Sequence, residues 1–191
     1  NTRKGSERIV RAAFEYAKKY GRKKVTVIHK ANVVRATEGL FLEVAKEVAK
    51  DYPDIKCDDA NVDAICMWLL KNPMNYEVLV ATNLFGDIIS DLCAQMVGGL
   101  GFGCSGNIGT RLAVFEPSHG SAPKYAGQYK VNPIATILSV RMMLDWLGET
   151  EKGDLLEKAI ASVIQEGKVR TYDMGGASTT LDMAEAIAAK L

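Results

Sequence analysis

Residues 77–97 read EVLVATNLFGDIISDLCAQMV. The opening EVLVAT is a short aliphatic run, the pattern of a buried strand. IISDLCAQMV that follows has the apolar spacing of an amphipathic helix. A buried strand running straight into a helix is the repeating unit of an α/β fold. Two aspartates, Asp87 and Asp91, lie at the start of that helix. They are four positions apart, so their side chains share one helix face. Two like charges on a largely apolar helix demand a reason.

Working outward, the chain alternates between the two periods. Ser6 is placed to cap a helix running to about Tyr20, where Gly21 supplies a stop. KKVTVIHK (23–30) alternates like a strand. TEGLFLEVAKEVAKDY (37–52) is helical, with Leu40, Val44, Ala45 and Val48 on one face and Pro53 just beyond. NVDAICMWLLK (61–71) is a short apolar helix that ends before Pro73. Residues 98–109, GGLGFGCSGNIG, read as a glycine-rich connection, RLAVFEP (111–117) as a strand, and 119–133 as a long loop. IATILSVRMMLDWLG (134–148) is a helix, and two more are expected near 151–166 and 180–190. Strands alternating with helices predict an α/β fold.

Composition excludes several classes of function. The 191 residues are enough to bury a real core. Net charge is +1, with acids and bases interspersed, so no basic stripe points to nucleic acid. The longest unbroken apolar run, AICMWLL (64–70), falls far short of the ~18 residues of a membrane span. The polar stretch NTRKGSER at the start has no signal-peptide core. Cys57, Cys66, Cys93 and Cys104 show no CxxC spacing, and the two histidines are 90 positions apart. Reduced, partly buried thiols in a cytoplasmic protein are the expectation.

GFGCSG (101–106) matches G-x-G-x-x-G. That motif binds a pyrophosphate only between a strand and the helix that follows it. Here a helix comes first and a loop follows, so the glycines are expected to make tight turns. His119 sits in a loop of small and polar residues just after a strand end, where ligands of open α/β sheets collect. Asp87 and Asp91 repel one another unless a cation lies between them, and hard oxygen donors suit Mg²⁺ or Mn²⁺. Two solvated surface aspartates are the alternative. Asp63 is a third acid, set in an apolar helix where burial without a partner is expensive. Lys30 closes a strand, and Asn32 adds a neutral hydrogen-bonding group two residues on. An amine beside a cation has a lowered pKa and can pass a proton near neutrality.

At these residues the chain resembles the metal-dependent β-decarboxylating dehydrogenases of the isocitrate, homoisocitrate and 3-isopropylmalate type. The matching stretches are SERIVRAAFEYA (6–17), VTVIHKANVVRATEGLF (25–41), NVDAICMWLL (61–70), VLVATNLFGDIISDLCAQMVGGLG (78–101), FEPSHGSAPKYAG (115–127) and VNPIATILSVRMML (131–144). They match in order and separation across nearly the whole chain. The resemblance implies a three-layer αβα fold with a non-Rossmann dinucleotide site. It implies that residues 1–100 belong to a smaller, dimer-forming substrate and metal domain, and 101–191 to a large dinucleotide-binding domain. Family members are longer at the N-terminus, so the chain is expected to be a C-terminal portion. Alone it is expected to be inactive, lacking the substrate-clamping arginines and the tyrosine that protonates the enol.

The resemblance also assigns roles. Asp87, Asp91 and Asp63 resemble the three metal ligands, with Asp63 reaching across a homodimer interface. Lys30 resembles the catalytic lysine, likewise shared across the interface, and Asn32 a contact to substrate or nicotinamide. His119, Gly120, Ser121 and Ala122 resemble the adenosine-binding loop, with Asn132 touching the adenine. His29 before Lys30, followed by RATEGLF (35–41), is closer to isocitrate dehydrogenases than to isopropylmalate dehydrogenases. Homoisocitrate is the next candidate. An acid after GSAP would favour NAD, but this chain has Lys124 and Tyr125 there, with Tyr172 in reserve, so the cofactor is NAD or NADP with a slight lean to NADP. Gly176 stands where NADP enzymes place an arginine. A non-catalytic regulatory subunit typically lacks the lysine or a metal ligand, and all four residues are present here.

Overall fold

A computed structural model describes residues 1–191. Two compact units emerge, Asn1–Cys93 and Ala94–Leu191, with the division inside a helix. The first unit is an α/β sandwich. Helix α1 (Arg3–Lys19) leads to strand β1 (Lys24–His29), helix α2 (Arg35–Ala49), strand β2 (Lys56–Asn61), helix α3 (Val62–Lys71), strand β3 (Val78–Ala81) and helix α4 (Asn83–Met96). The three strands form one parallel sheet with β1 in the centre, in the order β2-β1-β3. Side chains of a strand alternate between faces. Val25 and Val27 of β1, with Val78 and Val80 of β3, join Val10 and Phe14 of α1 and Phe41 and Val44 of α2 in one core. Ile28 is fully buried outside that cluster, and α3 packs against β1 and β2.

The second unit is a helical layer against a β-ribbon. Strands β4 (Cys104–Ile108) and β5 (Ala113–Pro117) pair antiparallel. Helix α5 (Ile134–Trp146) packs on both. Ile134 forms a second core with Leu156, Ile160 and Val163 of α6 (Thr150–Glu166) and Met183 and Ile187 of α7 (Thr180–Ala188). No helix is long and apolar enough to cross a membrane. All four cysteines are free, and burial raises the thiol pKa of Cys57, Cys93 and Cys104, which keeps them protonated.

Two local expectations are corrected, and one strand lies where the sequence raised no expectation. Thr2, not Ser6, caps α1: its hydroxyl accepts the Gly5 N–H at 3.1 Å, and Ser6 is buried within the helix. CDDAN (57–61) belongs to β2 although aspartate is a poor strand former. Cross-strand pairing overrides that preference: Asp58 accepts from the Thr26 hydroxyl at 2.6 Å and pairs with Lys24 at 2.8 Å. The glycine-rich stretch contains β4, not only turns. Gly106 faces Phe115 across the ribbon, where a Cβ would lie 3.1 Å from the ring. Its lack of a side chain therefore serves close packing.

Phe14 anchors the first core. It is fully buried and stacks on Tyr52 with ring centroids 4.8 Å apart. Phe14→Ala is expected to destabilise the fold by about 3–5 kcal/mol. Urea unfolding measures this, and a loss below about 1 kcal/mol, the size of a typical surface substitution, contradicts the packing described.

Candidate active site

Parallel strands deliver their C-terminal ends to one edge of the sheet, where α/β proteins place ligands. His29 lies level with Asn61 and Ile28 with Ala81, so β1, β2 and β3 end together. Lys30 follows β1, Asp63 lies in the first turn of α3 directly after β2, and α4 starts just after β3. The Lys30 carbonyl accepts the N–H groups of Val33 and Val34 at 3.0 and 2.8 Å, turning the chain back toward α2. The Lys30 ammonium donates to Asp63 Oδ1 in an ion pair. That contact holds the Asp63 carboxyl below the usual carboxylate range. Asp63 escapes the cost of burial: its side chain is 68% exposed, against 22% for Lys30. Its place in the first helical turn lets it point to solvent while the rest of α3 is apolar. Asn32 is exposed in the turn after Lys30.

Asp87 and Asp91 are both exposed on α4. Asp87 is the fifth residue of the helix, past the first turn, so the helix dipole does less for it than expected. The Ser90 hydroxyl donates to the Asp87 carbonyl at 2.9 Å. No group of three or more His, Cys, Asp or Glu side chains in the chain is placed to hold a metal ion. One chain therefore brings Lys30 to Asp63 and sets Asp87 beside Asp91 on a helix face, but does not bring the three acids together. Two carboxylates on an open face suit a hard divalent cation and leave the rest of its coordination to other donors.

In the second unit, the loop after β5 carries the remaining candidates. His119 Nδ1 donates to the Gly120 carbonyl at 2.9 Å, since a carbonyl can only accept, which leaves Nε2 as the acceptor. Gly120 and Ser121 are exposed, and Ala122 adopts the left-handed conformation (φ 45°, ψ 56°) just before Pro123. That costs a residue with a Cβ about 1–2 kcal/mol. The Tyr125 and Tyr172 rings meet at 5.5 Å. Lys124 lies 4.7 Å from the Tyr125 centroid, and Lys130 lies 5.4 and 5.1 Å from the two rings. The Lys124 ammonium, hydrogen-bonded to the phenol, holds Tyr125 below the usual tyrosine range, with Tyr172 contributing second. Tyr172 is pushed up, first by burial and then by Tyr125.

Asn132 is buried, and its side-chain amide is hydrogen-bonded at both its nitrogen and its oxygen. Nδ2 donates to Asp173 at 3.0 Å, and Oδ1 accepts the Ile134 N–H at 3.0 Å at the start of α5. Sequence reasoning missed Lys130 and Asp59. The alternation of lysine and tyrosine over 124–130 is the signal for the first; an aspartate one strand across from His29 offers no one-dimensional signal for the second.

Removing the Lys124 charge by Lys124→Met takes away what stabilises the Tyr125 phenolate. The tyrosinate absorbance of Tyr125 is then expected to appear at higher pH than in the parent chain. An unchanged titration contradicts the assignment of Lys124 as its cause.

A family model for isocitrate/isopropylmalate dehydrogenase matches residues 1–187. The chain is 51% identical over 190 residues to a 3-isopropylmalate dehydrogenase of Archaeoglobus fulgidus, covering all of this chain and 58% of that protein. It is 53% identical over 186 residues to a homoisocitrate dehydrogenase of Methanocaldococcus jannaschii, covering 97% of this chain and 53% of that one. It is 51% identical over 187 residues to the mitochondrial isocitrate dehydrogenase [NAD] catalytic subunit 6 of Arabidopsis thaliana, covering 97% and 50%. The crystal structure of an isocitrate dehydrogenase from Methylococcus capsulatus superposes with a TM-score of 0.96 at 50% identity, over 99% of this chain and 56% of that one. The chain thus spans about half the length of the curated relatives it matches. The lean toward NADP drawn from Lys124 and Tyr125 is not supported, since the Arabidopsis relative's name specifies NAD.

Proposed function

The chain belongs to the isocitrate/isopropylmalate dehydrogenase family, and from that premise we propose that it is the C-terminal part of an oxidoreductase that decarboxylates a 2-hydroxy acid oxidatively. The observation that carries this reading is the Lys30–Asp63 ion pair at the carboxyl edge of the parallel sheet, with Asp87 and Asp91 exposed on one helix face. When bound, a nicotinamide dinucleotide accepts hydride from the carbon bearing the hydroxyl, and a divalent cation supplies Lewis acidity toward the hydroxyl and its neighbouring carboxylate. Asp63, Asp87 and Asp91 are the proposed metal ligands. Lys30 first passes the proton it holds against Asp63 to solvent, then takes the hydroxyl proton as a free amine while hydride leaves the carbon that bears that hydroxyl for the nicotinamide; Asp63 stabilises the ammonium that results. The β-carboxylate then departs as CO₂ and its bonding electrons form the enolate. Asn32 is the proposed contact to substrate or nicotinamide.

A two-fold dimer completes the site in this reading. Met67, Trp68 and Leu70 of α3, Met74 after it, and Leu84 and Ile88 of α4 are all exposed. An apolar face of that kind on the metal-ligand helices supports coverage by a second copy, which brings Lys30 and Asp63 of one chain to Asp87 and Asp91 of the other. In the second unit, residues 119–122 with Lys124, Tyr125, Asn132 and Tyr172 are the proposed adenosine end of the dinucleotide site. NAD is the proposed acceptor. Isocitrate is the proposed substrate, resting on His29 before Lys30 and the RATEGLF stretch; homoisocitrate and 3-isopropylmalate are the alternatives. The presence of Lys30, Asp63, Asp87 and Asp91 together speaks against a non-catalytic regulatory subunit. Free, protonated thiols fit a reducing compartment such as the cytoplasm.

The test uses the longest natural polypeptide containing these 191 residues. Absorbance of reduced nicotinamide is followed with isocitrate, NAD and Mn²⁺. Turnover is expected, lost on adding a chelator, and lowered at least about a hundredfold by Lys30→Met, the scale of a general base. Reduction with homoisocitrate or isopropylmalate alone moves the substrate and keeps the mechanism. Silence with all three acids and with both NAD and NADP overturns the catalytic reading.

A further inference from the structure

Strand β1 ends at His29, whose side chain is 7% exposed. Beyond a strand end the backbone loses its ladder partners, and each N–H needs another acceptor. The Ala31 N–H finds one in His29 Nδ1, at 3.0 Å. A backbone N–H can only donate, so Nδ1 carries no hydrogen. The hydrogen of the neutral ring is then on Nε2, which faces Asp59 Oδ2 at 3.0 Å and donates to it. Asp59 is held in turn from α2, where Lys46 Nζ lies 3.6 Å from its other oxygen. The imidazole is thus a two-ended strut, with a carboxylate of the neighbouring strand at one end and the amide two residues along its own chain at the other.

The residue spanned by that strut is Lys30. The peptide plane that follows its Cα is held at both of its polar groups: the N–H, that of Ala31, by His29 Nδ1, and the C=O, that of Lys30, by the N–H groups of Val33 and Val34. A lysine side chain has a flexible stem, and the direction in which it sets out is decided by the backbone at its Cα. The bond from Nδ1 to the amide two residues on has the connectivity of an Asx turn, in which Asn or Asp Oδ1 accepts the same N–H. Histidine adds what asparagine lacks, a second nitrogen that reaches the next strand.

We infer that His29 is a positioning residue for Lys30: its neutral imidazole ties Asp59 to the Ala31 amide and so fixes the turn from which the lysine reaches Asp63. This rests on the reading of Lys30 as the proton acceptor given above. The imidazole's hydrogen bonds go to Asp59 and Ala31 and to none of the proposed metal ligands. It acts only through the backbone of its neighbour.

Two variants of the longest natural polypeptide separate the roles. His29→Leu loses both ends of the strut. His29→Asn keeps the acceptor for Ala31 and loses the reach to Asp59. In His29→Leu, exchange of the Ala31 amide is expected to speed up about tenfold, the scale of one lost hydrogen bond, and to stay near the parent rate in His29→Asn. Acylation of Lys30, read by mass spectrometry against the exposed Lys50, is expected to quicken in His29→Leu as the pairing with Asp63 loosens, and by less in His29→Asn, which keeps one of the two ends. With isocitrate, kcat is expected to fall about a hundredfold in His29→Leu, as for a displacement of about 1 Å. KM is expected to hold, and His29→Asn to recover part of the loss through the Ala31 bond, the remainder measuring the lost tie to Asp59. Unchanged Ala31 exchange, unchanged Lys30 acylation, parental kcat in His29→Leu, or His29→Asn as defective as His29→Leu each overturn the inference. A parent polypeptide that reduces no dinucleotide sinks the proposed function instead, while exchange and acylation still decide the strut.

Discussion

The register of β1 between β2 and β3 is the constraint on which the first unit depends. His29 is level with Asn61 and Ile28 with Ala81. That alignment ends three strands at one edge and puts Lys30 within reach of Asp63, at the start of the next helix. A slip of one residue turns every side chain of β1 to the opposite face. Val25 and Val27 then leave the core they share with Phe14 and Phe41, and Lys30 leaves Asp63. Hydrophobic burial and site geometry are therefore enforced by the same choice. The polar pairs add to it: Thr26 and Lys24 both reach Asp58, and His29 reaches Asp59, so β2 is pinned to β1 by side chains as well as by its ladder.

The helices and the two aliphatic strands were legible because their burial leaves a periodic trace. Phe41, Val44, Ala45 and Val48 are buried on one face of α2, with Leu40 packed at its margin. The acids and Lys30 were legible because isolated charges at strand ends and on apolar helices stand out against that trace. β2 was not, because CDDAN obeys its neighbours across the sheet and not its own propensity. β4 was hidden by its glycines, one of which makes room for Phe115. The Asp63 environment was not legible for a related reason. An apolar helix composition suggests burial, but in the first turn a side chain can still face out, and Asp63 does.

The site residues divide between two kinds of physics. Around Lys30, opposite charges meet at a sheet edge where the side chains are partly sheltered, and their geometry is set by the backbone. Around Tyr125 and Tyr172, two lysines sit against the paired rings, and the phenols move in opposite directions: the Lys124 ammonium lowers Tyr125, while desolvation and then Tyr125 raise Tyr172. Asn132 belongs to neither: its amide is committed to Asp173 and the start of α5.

The central claim is that a working site needs Lys30 from one chain and Asp87 from another, and mixing two disabled variants of the longest natural polypeptide tests it most directly. Lys30→Met and Asp87→Asn are each purified, confirmed inactive, then unfolded together and refolded as a mixture. If the site is shared, each mixed dimer holds one site with both defects and one with neither. Random pairing through a two-fold interface then restores roughly a quarter of the parental rate. A mixture as silent as its components contradicts the account, because it places Lys30 and Asp87 in the site of a single chain.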